Sequence, residues 1–220
     1  MAPSRHLILV RGTGATRVPR LVCLAGLVPL FAQIKHTKGT PTTKVPHNVT
    51  HATYTWFMEQ RTLQAPVDAL ADVERPEGIE IATLTRYDIP MLAALTLDAY
   101  GEENTPEAML EISEELRMTF EGAFGATTED SFVGAWDGGA LIGAIEVVRE
   151  SPWDDAPDGP FVVDLVVAPE YRRKGIATAL IAEVARRCQD WGFDGLSLTI
   201  DSRHMGAASL YDALGFTDVK

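Results

Sequence analysis

Val167-Ala168-Pro169-Glu170-Tyr171-Arg172-Arg173-Lys174-Gly175-Ile176-Ala177 is the stretch on which the fold turns. Just before it, Phe161-Val162-Val163-Asp164-Leu165-Val166-Val167 is apolar at every position but one, as a strand buried on both faces must be. Just after it, Ile176, Leu180, Val184, Cys188 and Trp191 recur at helical spacing and predict a helix from Gly175 to Trp191. A strand that ends in a short basic turn and resumes as a helix leaves unpaired N–H groups and partial positive charge at the helix N-terminus. Gly175 lets a ligand come close to the backbone, and Ala177 keeps the first turn small. Arg172, Arg173 and Lys174 add positive charge. Such a cradle suits a diphosphate, although it lacks the lysine pattern of a Walker loop. A basic turn that merely starts a helix fits the same residues, so the turn alone does not decide.

Outward from this point the pattern is regular. Ile79 to Leu84 alternates apolar and polar, as a half-buried strand does. Asp88 can cap a helix through about Tyr100, with Pro90 tolerated in its first turn. Thr105-Pro106-Glu107 reads as a second helix start, and Met109, Ile112, Leu116, Phe120 and Phe124 carry that helix to Gly125. Ser131 to Trp136, the turn Asp137-Gly138-Gly139, and Ala140 to Arg149 read as a hairpin. A Pro/Asp/Gly loop, Ser151 to Pro160, follows. A strand from Gly195 to Ile200, a short helix from about Met205 to Ala213, and Gly215 to Val219 complete the chain.

The 220 residues are 46% hydrophobic and 23% charged, the balance of a soluble globular protein. There is no run of eighteen apolar residues, so no membrane span is expected. Cys23 and Cys188 are too few for a framework of bridges, which suits a reducing, cytoplasmic setting. The net charge of −12 disfavours nonspecific nucleic-acid binding, and no metal site is expected.

The charge is not evenly spread. Residues 1–57 hold seven of the 19 basic side chains and none of the 31 acidic ones. Leu7 to Val10 followed by Gly12-Thr13-Gly14 imitates a dinucleotide-binding turn, but Arg17 stands where the third glycine belongs and no acid precedes Glu59. Asn48-Val49-Thr50 is a glycosylation sequon of a kind frequent by chance. Leu21 to Ile34 after four arginines could serve a targeting leader. Alternatively, Met58 is the true start and the segment before it is upstream sequence. The expected organisation is a non-domain leader at 1–57, a linker at 58–77 and one domain at 78–220.

Some thirty residues after the basic turn comes Ala207-Ala208-Ser209-Leu210-Tyr211-Asp212-Ala213-Leu214-Gly215-Phe216. Taken with Arg172 to Ala177 and the preceding Val167-Ala168-Pro169-Glu170-Tyr171, it resembles the GNAT family of acyl-CoA-dependent N-acetyltransferases. The order of elements from Ile79 agrees with that family. The resemblance implies an α/β (α+β) fold with a mixed, largely antiparallel central sheet flanked by helices. It also implies acetyl-CoA as cosubstrate, an amine of a small molecule or peptide as acceptor, and direct attack in a ternary complex. An acyl-CoA-binding module without turnover is the alternative, and a homodimer is compatible with either.

Carried over by position, Arg172, Arg173, Lys174, Gly175, Ile176 and Ala177 would wrap the CoA pyrophosphate, with Thr178 offering a hydroxyl. Leu165 and Val167 would give main-chain contacts to the pantetheine arm through a local splay of the strand. Tyr211 would protonate the leaving thiolate, a task that suits a phenol with its ordinary pKa of ~10. For the base there are two candidates: Asp164, the one charge in its strand, and Glu146 in the strand before it. Asp98, Glu102, Glu103, Glu107, Glu111, Glu114 and Glu115 lie on or between the helices that border the acceptor in the family. They could draw in a cationic amine or simply form a solvated helix face.

Two positions depart from the family. His204 stands where an asparagine is usual, and an imidazole titrates near neutrality. The chain also stops four residues after Phe216, short of a last strand that in the family pairs beside the one at 195–200. The expectation is therefore a truncated C-terminal edge, or one supplied by another chain.

Overall fold

A computed structural model of the chain describes residues 60–73, 75–150, 156–201 and 205–219. The elements run β1 (Gln60–Pro66), α1 (Val67–Ala71), β2 (Glu80–Thr83), α2 (Ile89–Tyr100), α3 (Pro106–Phe120), β3 (Phe132–Asp137), β4 (Ala140–Val148), β5 (Phe161–Val167), α4 (Ile176–Asp190), β6 (Gly195–Asp201), α5 (Met205–Ala213) and β7 (Thr217–Asp218). They form a mixed sheet in the order β2-β3-β4-β5-β6-β1-β7. Every neighbouring pair is antiparallel except β5 with β6. Among the described residues no helix is long and apolar enough to cross a membrane.

Local chemistry sets most of these boundaries. Thr105 caps α3 by accepting from the Ala108 N–H at 3.1 Å, with Pro106 at the first helical position. Asp88 precedes α2 but does not cap it. Its carboxylate instead accepts from the Thr85 N–H and hydroxyl, at 2.7 and 2.8 Å, and closes the short 3-10 turn before the helix. The helix predicted through Phe124 ends at Phe120, because Gly122 takes a left-handed φ of 82° first. Gly138 and Gly139, both at positive φ, make the two-residue β3–β4 turn.

Two buried clusters cover the two faces of the sheet. On one, Ile176, Leu180, Val184 and Cys188 of α4 meet Ile142, Ile145 and Val162 of β4 and β5. On the other, Leu92 of α2 and Ile112 and Leu116 of α3 meet Ala144, Val166 and Phe132. Gly143 lets α4 sit low on the sheet. A Cβ there would come within 2.9 Å of Ile176 Cγ2 and 3.2 Å of Leu180 Cδ1.

The start of the domain differs from the expectation. Residues 60–71, assigned to a linker, are β1 and α1. Strand β1 lies between β6 and β7, pairing Gln60 to Pro66 against Asp201 to Gly195. Leu63, Ala65, Val67 and Leu70 are buried within the α4-side core. Arg61 holds Asp218 of β7 through two hydrogen bonds, at 2.8 and 2.6 Å. The place beside β6, expected to be truncated or filled by another chain, is thus taken by this chain's own residues. Leucine and alanine at alternate positions, hidden among Gln60, Arg61, Thr62 and Gln64, are the faint sequence signal for that strand. The leader at 1–57, its sequon and its near-glycine motif lie outside the described residues.

Candidate active site

Strands β5 and β6 run together only at Phe161–Ser197 and Val162–Leu198 and then part. The Ala168 N–H donates to the Ile142 carbonyl at 2.9 Å, so from Asp164 onward the even-numbered positions of β5 turn their backbone groups toward β4. Leu165 and Val167 therefore point theirs the other way, into the opening left by β6. Val167 already uses its carbonyl, which accepts from Arg172 Nε at 3.1 Å. A bulge between Glu146 and Val147 leaves Val163 as an extra residue and bends β5 where the opening begins.

At the mouth of this opening lies the basic turn. A 3-10 turn (Pro169–Tyr171) leads from β5 into Arg172 in extended backbone, Arg173 at φ 63° and Gly175 at φ 82°. Gly175 occupies the cap position of α4, so no capping side chain meets the first N–H groups of the helix. Arg173, Lys174 and Gly175 are exposed, Ala177 and Thr178 half-buried, and Ile176 is buried in the core. Lys174 Nζ lies 4.8 Å from the Tyr171 ring centroid. Arg172 is committed differently. Its Nη2 donates to the Ala99 carbonyl at 2.5 Å, so the guanidinium ties the end of α2 to the end of β5. Arg172 thus holds two elements in place.

Behind the opening is a cluster of acids. Glu146 and Asp164 are direct partners across β4 and β5, so their side chains leave the sheet on the same face. That is the α2/α3 face, since Ala144 and Val166, two residues away on each strand, pack there. Each acid is only 2% exposed. The Tyr100 hydroxyl donates to Asp164 Oδ1 at 2.8 Å. Neither oxygen of Glu146 has a hydrogen-bond partner among the described residues. Burial, then the charges of Asp164 and Glu115, push the Glu146 carboxyl well above its usual range. Burial and the Asp164 and Glu111 charges push Glu115 up to about 7. Tyr211 is 7% exposed, packs edge-on against Phe216, and is driven above its ordinary value by burial and by Asp164.

Of the seven acids noted on α2, α3 and their connection, Asp98, Glu103, Glu107, Glu111 and Glu114 are exposed and Glu102 is half-buried. Glu115 alone sits on the inward face of α3, in register with Ile112, Leu116 and Thr119. Tyr100 escaped the sequence reading, because a helix-terminal tyrosine carries no signal of what its hydroxyl will reach. His204 lies outside the described residues.

Residues 90–216 match the model of the Acetyltransferase (GNAT) family. The chain belongs to that family. Its relatives include GCN5-related N-acetyltransferase 4, chloroplastic, from Arabidopsis thaliana, at 35% identity over 60 residues, which are 27% of this chain and 21% of that one. A mycothiol acetyltransferase from Geodermatophilus obscurus is 26% identical over 214 residues, 94% of this chain and 66% of that protein. This GNAT chain thus spans about a fifth and just under two thirds of those two relatives. Among solved structures, a GCN5-related N-acetyltransferase from Sphaerobacter thermophilus shares the fold with a TM-score of 0.56 and 20% identity, over 73% of this chain and 48% of that one. The mixed, mostly antiparallel GNAT sheet with flanking helices is the one described above.

Proposed function

We propose that this GNAT chain transfers the acetyl group of acetyl-CoA to an amine of a small molecule or peptide by direct attack in a ternary complex. The observation that carries the reading is the parting of β5 from β6 after Val162, with an uncapped helix N-terminus following β5 and the buried acids Glu146 and Asp164 on β4 and β5. The residues fit acetyl-CoA. The first N–H groups of α4, with Arg173 and Lys174, suit its pyrophosphate, and Thr178 adds a hydroxyl at that end. Leu165 and Val167 offer backbone groups to the amides of the pantetheine arm. When bound, acetyl-CoA supplies the activated thioester.

Acyl transfer needs a neutral amine, so an ammonium acceptor must first lose a proton. The Glu146–Asp164 pair receives it, acting as one coupled unit rather than as two separate acids. The C–N bond then forms at the thioester carbonyl, the C–S bond breaks, and Tyr211 gives its phenolic proton to the departing sulfur. Its raised pKa keeps that proton in place at neutral pH, at some loss of acid strength.

The test is release of free CoA thiol from acetyl-CoA across a panel of amines, with CoA binding measured in parallel by calorimetry. Amine-dependent release is the expected result. CoA binding without release on any amine would overturn transfer, and absence of CoA binding would overturn the whole reading.

A further inference from the structure

We infer that the acceptor is a primary amine bearing a second cationic nitrogen, and that Glu115 holds the second charge while the Glu146–Asp164 pair takes the reacting nitrogen. This rests on the transfer reading above and names the class of substrate for it. Three carboxylates from α3, β4 and β5 face one another between the helix and the sheet. Glu115 is on the inward side of α3, and Glu146 and Asp164 leave the sheet side by side toward it.

None of the ion pairs among the described residues involves Glu115 or Glu146. An acid 2% exposed with neither oxygen bonded among those residues is a poor structural element, since burial without a partner is costly. It is a good receptor for a positive ligand, which supplies both the charge and the N–H donors. The spacing argues for an organic cation. The acids are near enough to raise one another's pKa, but no three of the described acidic, imidazole or thiol groups are disposed to share a metal ion. Charges that interact without converging on a point match two separated ammonium groups. Glu111, exposed one turn before Glu115, extends the negative potential outward along α3 and would guide such a ligand in.

The experiment compares putrescine and cadaverine with n-butylamine on the full chain, at a pH where Glu115 is ionised. Binding is measured by calorimetry and acetyl transfer by thiol release. The diamines are expected to bind ~10-fold or more tightly, the share of one added charge-assisted hydrogen bond. Glu115→Gln should raise KM for the diamines toward that of butylamine and so collapse the ratio between the two classes, whatever it does to turnover of both through the Glu146–Asp164 pair, with the affinity for CoA retained. Equal or undetectable binding of the two classes overturns the proposal, as does a diamine preference that survives Glu115→Gln. The wild-type comparison needs no variant to fold. Diamine-selective binding without any thioester consumption would overturn the transferase reading and leave the cation site standing. Turnover of butylamine as efficient as that of the diamines would do the reverse.

Discussion

Gly175 has φ 82°, and a Cβ there would meet only Pro76 Cγ, at 3.6 Å, so space at the cap of α4 is open but the backbone is left-handed. Gly175→Glu places bulk and negative charge where a pyrophosphate would sit. CoA affinity is expected to fall ~100-fold or more by calorimetry, the share of about two charge-assisted hydrogen bonds. Gly175→Ala carries the same left-handed strain, ~1–2 kcal/mol, without the charge and should keep much of the affinity. Equal binding by the Glu variant and wild type would remove the cradle from the ligand site. Tyr211→Phe keeps the ring against Phe216 and removes only the proton. Turnover should drop ~10²–10⁴-fold with CoA affinity retained, the range for a positioned general acid. An unchanged kcat would exclude Tyr211 as the donor. At this scale the sequence marked Asp164 and Tyr211 as out of the ordinary, whereas Tyr100 and the inward turn of Glu115 depend on contacts 64 and 49 residues away along the chain.

Strand β1 is an element with little sequence signature and a large structural role. Leu63 is fully buried between β6 and the core beneath α4. Leu63→Ala should therefore destabilise the protein by ~2–5 kcal/mol, the cost of removing a fully packed leucine, as read from chemical denaturation. A loss under ~1 kcal/mol would mean that β1 is not part of the core. The same packing makes the N-terminal boundary testable. A chain beginning at Met58 should fold and bind CoA as the full chain does, while one beginning at Ile79 loses β1 and α1 and exposes the edge of β6. Folding and CoA binding by the shorter chain would sink the assignment of 60–71 to the domain.

Acid placement makes the stability of the whole molecule depend on pH. Glu115 and Glu146 both have folded values raised above 4.5, so the folded state binds more protons than the unfolded chain. Their contribution is fully present below 4.5 and is lost as pH rises through about 7 for Glu115 and through the raised folded value of Glu146. Asp130 and Asp218 act oppositely, but only as pH falls below 3.8 and toward their lowered folded values. The Tm should be highest near pH 5 and decline toward pH 8, and Glu146→Gln should flatten that decline. A thermal-melt series from pH 5 to 8 checks this, and a profile that rises over that range would contradict the burial of Glu146 without a partner among the described residues.

What the sequence determined by itself was local or periodic: the apolar run of β5, the glycine and basic residues that begin α4, the helical stripes and the Tyr211 block. Each rests on residues close together in the chain, where capping, turn chemistry and burial period act directly. Tertiary structure alone decided that β1 lies between β6 and β7, that β5 and β6 part after two paired positions, and that Glu115 joins Glu146 and Asp164. Those outcomes depend on pairings between residues far apart in the chain, such as Leu63 with Leu198 or Phe161 with Ser197, and on which side of a helix meets the sheet. A short polar strand such as β1 gains its stability from the neighbours it joins, so its own residues announce little of where it will go.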